Sequence, residues 1–136
     1  MMTVIEGTVE PGDQRGRLLG FPTANILLTD EGIDDGVWGA LVEVDPQRWA
    51  VAAVSVGRRR TFYAGEGERL LEAHLLDFDE DLYGRTIRVE LAVKLRSQRA
   101  FPDVGSLTEQ LHQDVQQARE WAAVHYPTLV ARMSYA

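Results

Sequence analysis

The chain has 136 residues, with 14 Lys+Arg against 21 Asp+Glu for a formal net charge of −7, and it contains no cysteine. That length suits one ordinary domain with one core. The missing cysteine excludes disulfides, zinc–thiolate centres and a cysteine nucleophile, and the acidic balance argues against a general nucleic-acid binder. With 45% hydrophobic and 26% charged residues, the composition is that of a globular protein. No apolar run approaches the ~20 residues of a membrane span, and Met1 to Gly7 has no basic region leading into a signal-like stretch. A cytoplasmic protein with no membrane partner is expected. Lys94 is the sole lysine, so an anion site must use arginines, backbone N–H groups or a metal.

In chain order, strands are expected over Val4 to Val9, Val37 to Val44, Trp49 to Val56, Leu70 to Phe78 and Ile87 to Arg96, each rich in β-formers and bounded by Gly, Pro or Asp. The last is the clearest, because every odd position is a large apolar residue and nearly every even one is charged. One helix closes the chain. Ser106 and Glu109 form a capping-box pattern ahead of Leu107, Leu111, Val115, Ala118 and Ala122 at three- and four-residue spacing. Strands without intervening helices imply an antiparallel sheet, which in a chain this size closes most economically into a small barrel carrying the helix. No repeat, low-complexity tract or linker divides the 136 residues.

Several places could carry chemistry. Gly12, Gly16 and Gly20 stand at four-residue spacing with Arg15 and Arg17 between them, followed by Phe21-Pro22-Thr23-Ala24-Asn25. Glycines let a backbone approach phosphate oxygens, and arginines with exposed N–H groups hold a polyphosphate. The order fits neither the P-loop nor the dinucleotide fingerprint, and a surface loop whose glycines merely turn has the same composition. Thr23 and Asn25, two apart, share a side of an extended segment and offer neutral oxygens of the kind Mg²⁺ accepts; local backbone hydrogen bonding is the plainer role. In Leu70 to Phe78, alternation puts Glu72 and His74 on one face and Leu71, Ala73 and Leu75 on the other. A carboxylate on a rigid strand can act as a general base, although a lone strand Glu is usually a solvated residue. Asp77, Asp79 and Asp81 begin like a calcium loop, but Leu82 and Arg88 stand where Gly and Glu are required. Arg58-Arg59-Arg60 is a basic triplet that fits either a phosphate contact or an exposed loop.

Taken in order, these pieces resemble the riboflavin kinase (flavokinase) family from Gly7 to about Arg119. The resemblance is carried by Gly7-Thr8-Val9, Gly12 through Gly20, Phe21-Pro22-Thr23-Ala24-Asn25, Gly36-Val37-Trp38, Ser55-Val56-Gly57, Glu72-Ala73-His74-Leu75-Leu76-Asp77-Phe78, Asp81-Leu82-Tyr83-Gly84, Leu95-Arg96 with Phe101, and Leu107 through Asp114. It implies an all-β fold, a six-stranded antiparallel Greek-key barrel with a C-terminal helix, in one domain spanning 1–136. It also implies ATP-dependent phosphorylation of the riboflavin ribityl 5′-hydroxyl to FMN, with Mg²⁺ or another divalent metal and ATP as co-substrate.

On the same resemblance, Glu72 is the catalytic base and Thr23 and Asn25 position the metal. Gly12, Arg15, Gly16, Arg17, Leu18 and Thr23, with Leu75, Asp77 and Tyr83 on the adenine side, serve ATP, while Arg96, Arg99 and Phe101 serve the flavin. The implied partners are riboflavin and ATP, with no nucleic acid and no membrane, and the protein is expected to be a monomer. Ser55, Arg60, Trp38 and Gln98 depart from the residues usual in the family. Bacterial members are commonly fused to an FMN adenylyltransferase domain that this sequence lacks, so the reaction is expected to stop at FMN. The alternative is a flavin- or nucleotide-binding regulatory module with little or no catalysis.

Overall fold

The computed structural model describes residues 3–10, 23–29, 32–58 and 69–133. The strands are β1 (Thr3–Thr8), β2 (Thr23–Leu27), β3 (Gly36–Asp45), β4 (Arg48–Arg58), β5 (Arg69–Leu75) and β6 (Thr86–Arg96), followed by helices α1 (Val104–His125) and α2 (Pro127–Met133). They form a six-stranded sheet in the order β1-β6-β3-β4-β5-β2, antiparallel at every pairing. Placing β6 between β1 and β3, and β2 beyond β5, gives the Greek-key crossing. After β1, Val9 still bonds the start of β6 (Val9 N to Arg85 O, 2.8 Å), and Glu10 N then donates to Asn25 O of β2 at 2.8 Å. The two edges of the sheet thus meet and the sheet curls into a barrel. Gly7 permits this approach, since a Cβ there would lie 2.5 Å from Ile26 Cγ2.

The strands bury two faces. Ala24, Ile26, Val42, Ala52, Val54, Leu71, Ala73, Leu75 and Val89 fill the barrel, and Leu41, Val51, Ala53 and Leu76 face outward onto Val115, Ala118 and Ala122 of α1. This explains why β4 reads as a nearly continuous apolar run, Trp49 to Val54: its residues alternate between two buried faces. Gly39 leaves room for α1 at the sheet, because a Cβ there would sit 3.1 Å from the Trp121 ring.

Apart from shifts of one or two residues at other strand ends and the short second helix α2, two boundaries differ from expectation. β5 ends at Leu75, short of Phe78, because Asp77 adopts φ +54 and turns the chain; Asp is among the few residues that enter this region at modest cost. The helix is capped by Asp103, whose Oδ1 accepts from Ser106 N at 2.7 Å, so Ser106 lies within the first turn and the Ser106/Glu109 capping box does not form. This bond from the Ser106 backbone, joined by one from its hydroxyl, holds the Asp103 carboxyl below its ordinary value of 3.8. Among the described residues no helix is long and apolar enough to cross a membrane.

Candidate functional site

Strand register assembles the site. Asn25 pairs with Glu72, Glu72 with Ser55 and Ser55 with Val37, making one row across β2, β5, β4 and β3. The next row places Thr23 opposite His74 and His74 opposite Ala53. Because Leu71, Ala73 and Leu75 point into the barrel, Glu72 and His74 share the outer face, as the alternation requires. His74 is 1% exposed, and its Nε2 lies 3.1 Å from Glu72 Oε1. The Glu72 side chain keeps 25% of its surface accessible, which leaves it open to a ligand. Asn25 is 2% exposed, and its Oδ1 is buried with no hydrogen-bond partner among the described residues.

Beside this row lies a pocket of about 130 Å³ between the outer face of the sheet and the first turns of α1. Val37, Ala53, Ser55, Glu72 and His74 form its floor, Leu107, Leu111 and Asp114 of α1 its roof, and Arg96, Gln98 and Phe101 the side where the chain passes from β6 to α1. Gln98 pins this connection: its Nε2 donates to Ser55 Oγ at 2.7 Å and to Val56 O at 3.1 Å. Ser55 and Gln98 are thus bonded to one another.

The expected site residues divide into groups. Thr23, Asn25 and Glu72 come together, and Arg96 and Phe101 line the pocket beside Glu72. Arg96 is not a free donor, since Asp114 takes its Nε and Nη2 at 2.7 Å each. Arg99 lies over the Phe101 ring, 4.9 Å from its centroid. Leu75 is 1% exposed within the barrel, so it is not open to a nucleotide. Asp77 pairs with Arg119 of α1 at 2.8 Å, which raises the pKa of that guanidinium further, and Tyr83 is 62% exposed; neither lines the pocket. Gly12, Arg15, Gly16, Arg17 and Leu18 lie outside the described residues, as do Arg59 and Arg60 of the basic triplet.

Sequence reasoning missed Asp114 and Gln110. The available signal was their position, because both fall on the sheet-facing side of α1 among Leu107, Leu111, Val115 and Ala118. A charge on an apolar helix stripe demands a partner.

Sheet, helix and pocket define a small antiparallel barrel with a carboxylate-bearing pocket on its outer face, roofed by a C-terminal helix. The riboflavin kinase (Flavokinase) family model matches residues 2–122, and the chain belongs to the riboflavin kinase family. It is 40% identical over 114 residues to the RNA-binding riboflavin kinase RibR of Bacillus subtilis (strain 168), covering 84% of this chain and 49% of that protein. It is 38% identical over 117 residues to the bifunctional riboflavin kinase/FMN adenylyltransferase of the same strain, covering 84% of this chain and 37% of that protein. The crystal structure of riboflavin kinase from Trypanosoma brucei matches with a TM-score of 0.59 at 25% identity, covering 93% of this chain and 82% of that one. The chain therefore spans half or less of the two curated bacterial relatives. The barrel with its helix, and the family expected from the order of motifs, are both found.

Proposed function

We propose that this chain phosphorylates riboflavin, moving the ATP γ-phosphoryl group to the ribityl 5′-hydroxyl to give FMN and ADP. One observation carries the reading: Glu72, rigidly placed on β5, opens onto the pocket while its cross-strand neighbour Asn25 presents a buried, unpartnered oxygen. Glu72 accepts the hydroxyl proton as the ribityl oxygen forms its bond to the γ-phosphorus and the bond from phosphorus to the ADP oxygen breaks. Such transfer depends chiefly on positioning and charge neutralisation, so one well-placed carboxylate is adequate. His74 Nε2 lies 3.1 Å from Glu72 Oε1 on the same strand face.

The residues present fit a divalent cation with few protein ligands. Among the described residues there is no cluster of three or more His, Cys, Asp or Glu able to hold a metal, and Asn25 Oδ1 is a hard neutral oxygen with no other partner. Asn25 and Thr23 would hold Mg²⁺ together with nucleotide phosphate oxygens and water. When bound, the metal supplies neutralisation of the phosphate charge. Arg96, Arg99 and Phe101 serve the flavin, where an apolar ring face with polar edges suits isoalloxazine. The Gly12–Leu18 segment, with Asp77 and Tyr83, serves ATP.

The RNA-binding description belongs to the RibR relative, of which this chain spans 49%. With a net charge of −7, nucleic acid is not proposed as a partner here. Incubation with riboflavin and Mg·ATP, followed by chromatographic detection of FMN, tests the proposal. FMN formation with matching ADP is expected. Riboflavin binding without FMN above a no-protein control would instead support a flavin-binding module.

A further inference from the structure

α1 turns two polar side chains toward the sheet, Gln110 at 8% and Asp114 at 1% exposure, and the proposed chemistry uses neither. The Asp114 carboxylate is fully engaged: Oδ1 accepts from Arg96 Nε at 2.7 Å and Gln110 Nε2 at 2.9 Å, and Oδ2 from Arg96 Nη2 at 2.7 Å. The remaining Arg96 nitrogen, Nη1, donates to Ser97 O at 3.1 Å. Gln110 Oε1 in turn accepts from Arg99 Nη2 at 2.9 Å. Both guanidinia lie over one ring, Arg96 at 5.8 Å and Arg99 at 4.9 Å from the Phe101 centroid. A closed circuit of contacts thus runs from the helix through two arginines to a single aromatic on the pocket wall.

Buried ion pairs are weak stabilisers, and apolar side chains of similar volume often serve folding as well or better. Their strength is geometric, since a bidentate fork fixes both the position and the plane of a guanidinium. Asp114 already holds three donors, so it is not placed to collect a substrate proton. We propose that Asp114 and Gln110 are positioning residues for riboflavin: by locking Arg96 and Arg99 they hold the Phe101 ring as the flat wall against which the isoalloxazine lies. The proposal rests on the reading that this pocket takes the flavin.

The test titrates riboflavin into wild type, Asp114→Asn and Gln110→Met by quenching of flavin fluorescence, and measures KM for both substrates. In Asp114→Asn the riboflavin Kd and KM are expected to rise about tenfold, while KM for ATP stays within about twofold. Gln110→Met, which cuts the Arg99 link but keeps the Arg96–Asp114 fork, is expected to raise the riboflavin Kd about threefold or more with the same split. A folded Asp114→Asn with wild-type riboflavin affinity, or an equal rise in both KM values, overturns the proposal. If Asp114→Asn does not fold, Gln110→Met decides, and an unchanged riboflavin Kd overturns it. Wild type that binds riboflavin and makes FMN leaves the proposed function standing even then, whereas wild type that binds no riboflavin removes both.

Discussion

Asn25 on β2 and Glu72 on β5 are direct cross-strand partners, which places a buried neutral oxygen without a hydrogen bond among the described residues beside the carboxylate on the floor of the pocket. A buried polar atom left unpaired costs about 1–3 kcal/mol, a cost that a bound ligand would offset. Asn25→Ala is expected to raise KM for Mg·ATP about tenfold or more while riboflavin affinity and melting temperature change little. Steady-state kinetics with each substrate varied, beside a thermal melt, check this. A parallel loss of riboflavin binding and thermal stability would mean that Asn25 is structural.

Barrel closure depends on Gly7 lying against Ile26. A Cβ at Gly7 would stand 2.5 Å from Ile26 Cγ2, so Gly7→Ala must push the two edge strands apart. The expected loss is about 1–3 kcal/mol by urea denaturation, the range for overpacking a filled site. A neutral substitution would mean that the edges are not held together there.

Much of this was legible in the sequence. Alternation located β6 and put Glu72 and His74 on one face, since a strand with one covered side must alternate. β2 reads in the sequence only as an extended Pro-Thr-Ala-Asn segment: it is five residues long, and the partner that makes it a strand, β5, lies far along the chain. The helix starts earlier than Ser106-x-x-Glu109 implies, because the Asp103 side chain caps it by accepting from Ser106 N. The Arg96–Asp114 fork joins a strand end to a helix interior, so no spacing rule exposes it. Leu75 illustrates a further limit, because strand alternation sends its side chain into the barrel whatever its backbone offers a nucleotide.

Arg69 fastens the chain before β3 to the start of β5. Only 9% exposed, it donates through Nη2 to Ile33 O and, at 2.7 Å, to Asp35 Oδ1. Arg69→Met leaves the Ile33 carbonyl buried without this donor and is expected to cost about 1–3 kcal/mol. Asp35→Ala, which removes a half-exposed carboxylate, is expected to cost less than about 1 kcal/mol. Urea melts of the two variants that reversed this order would contradict the assignment.

The helix cap gives a dependence on pH. Its bonds from Ser106 hold the folded Asp103 carboxyl below the ordinary value of 3.8, so its contribution is fully present above that value and lost as pH falls through the lower folded value. Asp103→Ala is therefore expected to lower the melting temperature by a few degrees near neutrality, with the gap to wild type closing below about pH 4. A gap that widens on acidification would contradict the cap.

The most direct measurement is the rate of FMN formation by wild type and Glu72→Gln at equal riboflavin saturation. Wild type is expected to produce FMN and ADP in equal amounts. Glu72→Gln, which keeps the shape but cannot take the hydroxyl proton, is expected to bind riboflavin as before and turn over roughly 10²–10⁴-fold more slowly. FMN formation by Glu72→Gln at close to the wild-type rate would contradict the assignment of Glu72 as the base.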